Sequence, residues 1–187
     1  MINIVDIQSG NVRTWAKLLE RLLIPYKLVK NPKEIDSKII LLPGVGSAGY
    51  FMDRMKSKGF NKIFQKYKEN NLRIIGICLG FQLLTDFTQE DGGIQGLGLI
   101  KGYAEKLKKE ERGFSNNGWS NITIRKDEIL NHSFLGSQKL TKKSIVNGRV
   151  FFNHEYGVKL NKSNGKKFFI RKDNLSKYVA AFFSKNL

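Results

Sequence analysis

The stretch Ile74-Ile75-Gly76-Ile77-Cys78-Leu79-Gly80-Phe81-Gln82-Leu83-Leu84 runs from apolar residues through a cysteine set between two glycines and straight into a helical pattern. A short continuous apolar run is the mark of a strand covered on both faces, as in a parallel sheet. A cysteine on the tight turn from such a strand into a helix is the thiol counterpart of the G-x-S-x-G nucleophile elbow. So tight a turn holds its central residue in an unfavourable backbone conformation, and the flanking Gly76 and Gly80 let neighbouring backbone pack close. The thiol is then presented to solvent at a helix N-terminus, whose dipole and unpaired amides favour thiolate and offer the Leu79 N–H as an oxyanion donor. Cys78 is the only cysteine, so an internal disulfide is impossible and the residue is either a small buried hydrophobe or a reactive group.

Upstream of the elbow, Ile2 to Ile7 reads as a strand that stops at Ser9-Gly10-Asn11, a turn cluster able to cap a helix. Val12, Trp15, Leu18, Leu19, Leu22 and Leu23 have the three-and-four spacing of an amphipathic helix, which Pro25 terminates. Tyr26 to Val29 follows as a second strand. The run Ile39-Ile40-Leu41-Leu42 is a third, emptying into the glycine-rich loop Pro43-Gly44-Val45-Gly46. One helix from about Tyr50 to Asn70 should carry the chain to Ile74. Strands alternating with helices at this spacing predict a central, mostly parallel sheet with helices on both faces. Beyond Gly92-Gly93 the texture becomes β-rich, with alternating stretches at Asn121–Ile124, Val150–Phe152, Lys167–Ile170 and Val179–Phe183 that suggest antiparallel strands. Asn164-Gly165 is a hairpin signal between two of them. With no internal repeat or linker, residues 1–187 read as a single α/β domain.

The formal charge of +17 would attract polyanions, but the lysines are scattered and no nucleic-acid motif accompanies them, so nucleic acid is not expected as a partner. There is no apolar run of about eighteen residues and no signal peptide, which predicts no membrane association and a cytoplasmic location. Two histidines, His132 and His154, are too few for a metal cluster, and neither metal nor cofactor is expected.

Taken in order, these segments resemble class I glutamine amidotransferases, and within that class the glutaminase subunits of imidazole glycerol phosphate synthase. The likeness is carried by Ile4-Val5-Asp6 with Gly10-Asn11-Val12-Arg13, by Leu42-Pro43-Gly44-Val45-Gly46, and by Gly76 to Leu84. Leu97-Gly98-Leu99-Ile100, Asn117-Gly118-Trp119 and Phe152-Asn153-His154-Glu155-Tyr156 follow in the family's order. The resemblance implies a flavodoxin-like fold and a definite chemistry. Cys78 would attack the side-chain amide of L-glutamine, releasing ammonia and leaving a thioester for water to hydrolyse. It implies oxyanion donation by the amides of Val45 and Leu79, and substrate binding by Gly46, Gln82, Glu90, His154 and Tyr156. A carboxylate at Glu90 suits the substrate's α-ammonium group. The implied partner is a synthase barrel subunit that receives the ammonia to close the imidazole ring in histidine biosynthesis.

Two departures qualify what the resemblance implies. Glu155 stands where the family has a serine. The family's base and its orienting carboxylate lie in a His-Pro-Glu segment after a late strand, whereas here Val179–Phe183 is followed by Ser184-Lys185-Asn186-Leu187 and no histidine follows His154. The expectation is a chain truncated at its C-terminus, hydrolysing glutamine at a small fraction of a full-length rate. His154 and Glu155 are not expected to substitute, since neighbours on a strand face opposite ways. Three other readings stay open: a paralogue whose synthase aminates a cell-surface sugar, a catalytically dead scaffolding subunit, and a single-cysteine hydrolase or redox sensor on a similar sheet.

Overall fold

The computed structural model describes residues 1–70, 73–107, 116–123, 147–161, 166–169 and 178–183. Strands β1 (Ile2–Val5), β2 (Tyr26–Val29), β3 (Ile39–Gly44) and β4 (Arg73–Cys78) form a parallel sheet in the order β2-β1-β3-β4. Alternation along the strands sorts their side chains onto two covered faces. On one face Ile4 and Leu41 pack with Ala16 and Leu19 of α1 (Val12–Arg21), joined by Trp15, Ile75 and Ile77. On the other, Val5, Ile40, Leu42 and Ile74 meet Phe51, Met52 and Met55 of α2 (Ala48–Ser57), Phe60 and Phe64 of α3 (Phe60–Glu69), and Leu79 and Leu83 of α4 (Leu79–Leu83). Asn3 interrupts the apolar pattern of β1 yet is fully buried. Its amide donates to Asp36 Oδ1 at 3.0 Å and its oxygen accepts from the Asp36 and Ser37 amides at 3.0 Å each, so every polar atom is satisfied.

Several boundaries differ from the sequence reading, each for a local reason. The expected helix over 50–70 is two helices, and α2 begins earlier, at Ala48, because Ser47 caps it by accepting from the Tyr50 amide at 3.2 Å. Gly59, at φ 78, breaks the run, its N–H donating to the Lys56 carbonyl at 2.9 Å. Strand β3 continues through Pro43 and Gly44 instead of ending at Leu42. Pairing between β1 and β3 stops at Leu41, so the N–H that Pro43 lacks is not required by that neighbour. Asn11 occupies the N-cap of α1 without a side-chain bond to the helix backbone; its oxygen accepts instead from the Thr14 hydroxyl at 2.6 Å.

The β-rich half holds a second sheet, ordered β10-β7-β5-β6, of β5 (Thr85–Thr88), β6 (Ile94–Gln95), β7 (Ile100–Lys106) and β10 (Tyr156–Leu160). Its β5–β6 and β7–β10 pairs are antiparallel, whereas β5 and β7 run parallel. Two antiparallel ribbons accompany it: β8 (Asn116–Thr123) with β9 (Asn147–His154), and β11 (Lys166–Phe169) with β12 (Val179–Phe183). The Asn164-Gly165 turn, Ile124 and Ile170 lie outside the described residues. On the outer face of the first ribbon Trp119, 57% exposed, meets Phe151 edge-to-face at 5.6 Å between centroids, and the Arg149 guanidinium stands 5.6 Å over the indole. Among the described residues no helix is long and apolar enough to cross a membrane.

Candidate active site

Register decides what stands beside the cysteine. In the β3–β4 ladder Pro43 is opposite Ile77 and Gly44 opposite Cys78, so the loop leaving β3 begins alongside the thiol. Cys78 itself adopts φ 54, ψ −117, a backbone that a side chain with a Cβ occupies only under strain. The elbow closes so tightly that a Cβ on Gly80 would stand 2.0 Å from the Leu42 carbonyl oxygen, and one on Gly76 would stand 2.9 Å from the Gly80 oxygen. Both glycines are therefore demanded by packing, as the spacing suggested.

The thiol is exposed, yet protein surrounds enough of it that desolvation is the largest influence on its acidity and raises its pKa. The Leu79 N–H, directed at the sulfur, opposes this, and the negative charge of Glu90 reinforces it. The expected thiolate is thus not the resting form. The reason is visible in α4: five residues give a small dipole, and burial together with a neighbouring carboxylate outweighs it. A consequence can be checked directly. At mildly alkaline pH, Glu90→Gln is expected to make Cys78 react with iodoacetamide roughly two- to threefold faster, because removing the negative charge lowers the thiol pKa. An unchanged or slower rate would remove Glu90 from the neighbourhood of the thiol.

Glu90 lies half-buried in a single turn of 3-10 helix, Glu90–Gly92. Burial, then Asp91, raises its pKa; the Ala48 N–H counters them and Glu155 adds to the rise. The Tyr156 phenol is raised by burial and by Glu90, Glu155 and Asp91. Glu90 thus links the cysteine to a group of three carboxylates and a phenol, a negatively polarised patch in a chain of charge +17. Such a patch favours a ligand carrying an ammonium group.

Val45 is 55% exposed, and its carbonyl accepts from the Ser9 hydroxyl at 3.3 Å. Gly46 follows at φ 100 in open space. Gln82 is 7% exposed on α4, and its Oε1 is buried without a hydrogen-bond partner among the described residues. Leaving such an acceptor unpaired costs about 1–3 kcal/mol, so the position suits a donor on a bound molecule. His154 ends β9, where burial lowers its pKa and favours neutral imidazole. Its Nδ1 lies 2.7 Å from the Tyr156 carbonyl oxygen, which can only accept, so Nδ1 carries the proton. Glu155 lies in the bend between β9 and β10 rather than on a strand, with its carboxylate 3.9 Å from Lys106 Nζ.

The structure therefore places Leu79 and Glu90 in interaction with Cys78 and Tyr156 in interaction with Glu90, starts the loop of Val45 and Gly46 where Gly44 pairs with Cys78, and turns His154 toward a backbone carbonyl. Sequence reasoning missed Ser9, Ser47 and Asp91. Only Ser47 left a signal, a serine just ahead of a helical pattern.

A parallel sheet emptying into a cysteine elbow, with a glycine loop leaving the neighbouring strand and a half-buried carboxylate acting on the thiol, is an arrangement of the amidotransferase kind. The model of the family "Glutamine amidotransferase class-I" matches residues 3–186, and the chain belongs to that family. Among its relatives, the imidazole glycerol phosphate synthase subunit HisH of Bacillus subtilis is 33% identical over 164 residues, spanning 84% of this chain and 72% of that protein. HisH of Geobacillus kaustophilus is 31% identical over 164 residues, with the same shares. Of solved structures, a glutamine amidotransferase superposes with TM-score 0.69 at 16% identity, covering 94% of this chain and 82% of the other. A glutamine amidotransferase from Thermotoga maritima gives 0.60 at 12% identity, covering 98% and 71%. At those identities the likeness is one of fold.

Proposed function

We propose that this chain, as one domain, hydrolyses L-glutamine through Cys78 and delivers the ammonia to a synthase barrel subunit that forms imidazole glycerol phosphate in histidine biosynthesis, in the cytoplasm. The observation that carries the reading is the strained Cys78 backbone, with the Leu79 N–H directed at the sulfur and Gly44 paired alongside. Its support from relatives is the HisH likeness over 84% of the chain.

In this mechanism the substrate's α-ammonium group is held by the carboxylate of Glu90, with Tyr156, His154 and Gly46 lining the site and Gln82 Oε1 accepting from a substrate N–H. The Cys78 thiol proton passes, by way of water, to the side-chain amide nitrogen as Sγ bonds to the amide carbon. The carbonyl π electrons move onto oxygen, where the Leu79 and Val45 amides receive the charge. Collapse of the tetrahedral species breaks the C–N bond, so that the nitrogen departs as ammonia carrying the former thiol proton and a γ-glutamyl thioester remains. Water then cleaves the thioester to glutamate and restores the thiol. Neither metal nor cofactor enters.

The nucleophilic half of this sequence is tested by mass spectrometry after incubation with a diazoketone analogue of glutamine. A single adduct on Cys78, slowed by added L-glutamine, is the expected result; labelling indifferent to glutamine would defeat the proposal. The acceptor is tested by complementing a histidine auxotroph that lacks its own glutaminase subunit while retaining the synthase barrel. Growth restored only on ammonium-rich medium, with or without the chain, would point to another acceptor.

A further inference from the structure

Asp91 lies next to Glu90 and stands in the left-handed region at φ 52, ψ 37, followed by Gly92 at φ 80 and Gly93 at φ 108. Glycine would meet the same backbone demand at position 91 without strain, so the side chain there needs a reason of its own. Its carboxylate reaches across to the loop that leaves β3. Oδ2 accepts from the Ser47 hydroxyl at 2.6 Å and from the Gly49 N–H at 2.9 Å. Ser47 in turn accepts from the Tyr50 amide, which commits its proton to Asp91. Gly49 leaves the space for this approach: a Cβ there would already stand 3.4 Å from Asp91 Oδ2. The intervening Ala48 N–H is shared, favouring the charged form of both Glu90 and Asp91.

The short loop Val45-Gly46-Ser47 is thereby pinned at both ends, at Val45 by the Ser9 hydroxyl and at Ser47 by Asp91, around a Gly46 that touches nothing at its Cβ position. We propose that Asp91 is a positioning residue for glutamine hydrolysis, tying the loop that carries the Val45 amide to the turn that carries Glu90, so that both stand at fixed places about Cys78. This rests on the glutaminase reading above. Asp91 touches no reacting atom. Its contribution is that oxyanion donor and ammonium acceptor move as one body, and misplacement of either by a fraction of an ångström slows attack on a bound amide without altering an unguided thiol.

The experiment compares two labelling reactions of Cys78 in the full chain, one with the diazoketone analogue of glutamine and one with iodoacetamide, which needs neither Glu90 nor an oxyanion donor. Asp91→Ala and Asp91→Gly are each expected to lower the maximal diazoketone inactivation rate roughly tenfold while iodoacetamide labelling stays within about twofold. Asp91→Gly keeps the left-handed backbone relaxed, so it reports the lost carboxylate even where the alanine variant folds poorly. Asp91→Asn, which retains an acceptor oxygen and tolerates the turn, is expected to recover most of the rate. Ser47→Ala combined with Asp91→Gly should be no slower than Asp91→Gly alone. Unchanged diazoketone labelling in Asp91→Gly, with the parent chain labelled normally, would overturn the positioning role only. A parent chain labelled by iodoacetamide but not by the diazoketone would overturn the glutaminase reading and this inference together.

Discussion

Cys78→Ala is expected to abolish covalent capture of a glutamine-like electrophile and to lower any glutamine hydrolysis by at least about a thousandfold, with the fold left intact. Neither group that acts on the thiol among the described residues can substitute: they are a backbone amide and a carboxylate, neither with a sulfur's nucleophilicity. Cys78→Gly separates chemistry from architecture. It removes the thiol and also the strain of a Cβ at φ 54, so activity is lost while stability holds or rises, within about 1 kcal/mol. Thermal denaturation of the two variants measures the difference. If Cys78→Gly melted well below Cys78→Ala, the cysteine would be a packing residue and not a group held in a strained pose for chemistry.

Gly80→Ala should have the largest effect on stability. The added methyl would stand 2.0 Å from the Leu42 carbonyl oxygen, against backbone of an interior strand that has no room to retreat, because its other face is packed through Leu41 on Ala16 and Leu19 of α1. A loss of about 3 kcal/mol or more is expected, equivalent to a melting temperature lowered by roughly 6–12 °C in a chain of this size. Gly92→Ala is the control. There an added Cβ meets nothing within 4 Å and only the left-handed backbone at φ 80 opposes it, so the cost should be about 1 kcal/mol. Equal melting temperatures for the two variants would refute the close packing of α4 on β3.

The parts of this fold legible in the sequence are those where one periodicity has one meaning. The strands at Tyr26–Val29 and Val179–Phe183 emerged with their observed limits, and the elbow was readable because glycine, cysteine and glycine at alternate positions leave few other geometries. The break at Gly59 was hidden because Met52, Met55, Ile63 and Phe64 stay in helical phase across it, so that the hydrophobic pattern is unbroken while the backbone is not. Pro43 misled for the opposite reason. Proline followed by glycine signals a turn, and only the end of the β1 pairing explains why a strand tolerates it here. Asp91 and Ser47 are separated by 44 residues, and no spacing rule joins a left-handed aspartate to a helix cap that distant. The shift in thiol acidity runs opposite to the sequence expectation, since a motif carries the dipole of a helix but not its length, the burial of the sulfur, or the Glu90 charge that the β5–β6 connection brings near.

The aromatic ribbon gives the molecule a built-in optical reporter. Of the two tryptophans, Trp15 is half-buried against the α1 face of the parallel sheet, while Trp119 stands in water beside a guanidinium and a phenylalanine ring. Their emission should therefore separate, a bluer component protected from iodide and a redder one quenched by it. Loss of order in the sheet would be read in the first, and anything that settles on the ribbon in the second, from one cuvette and without a label.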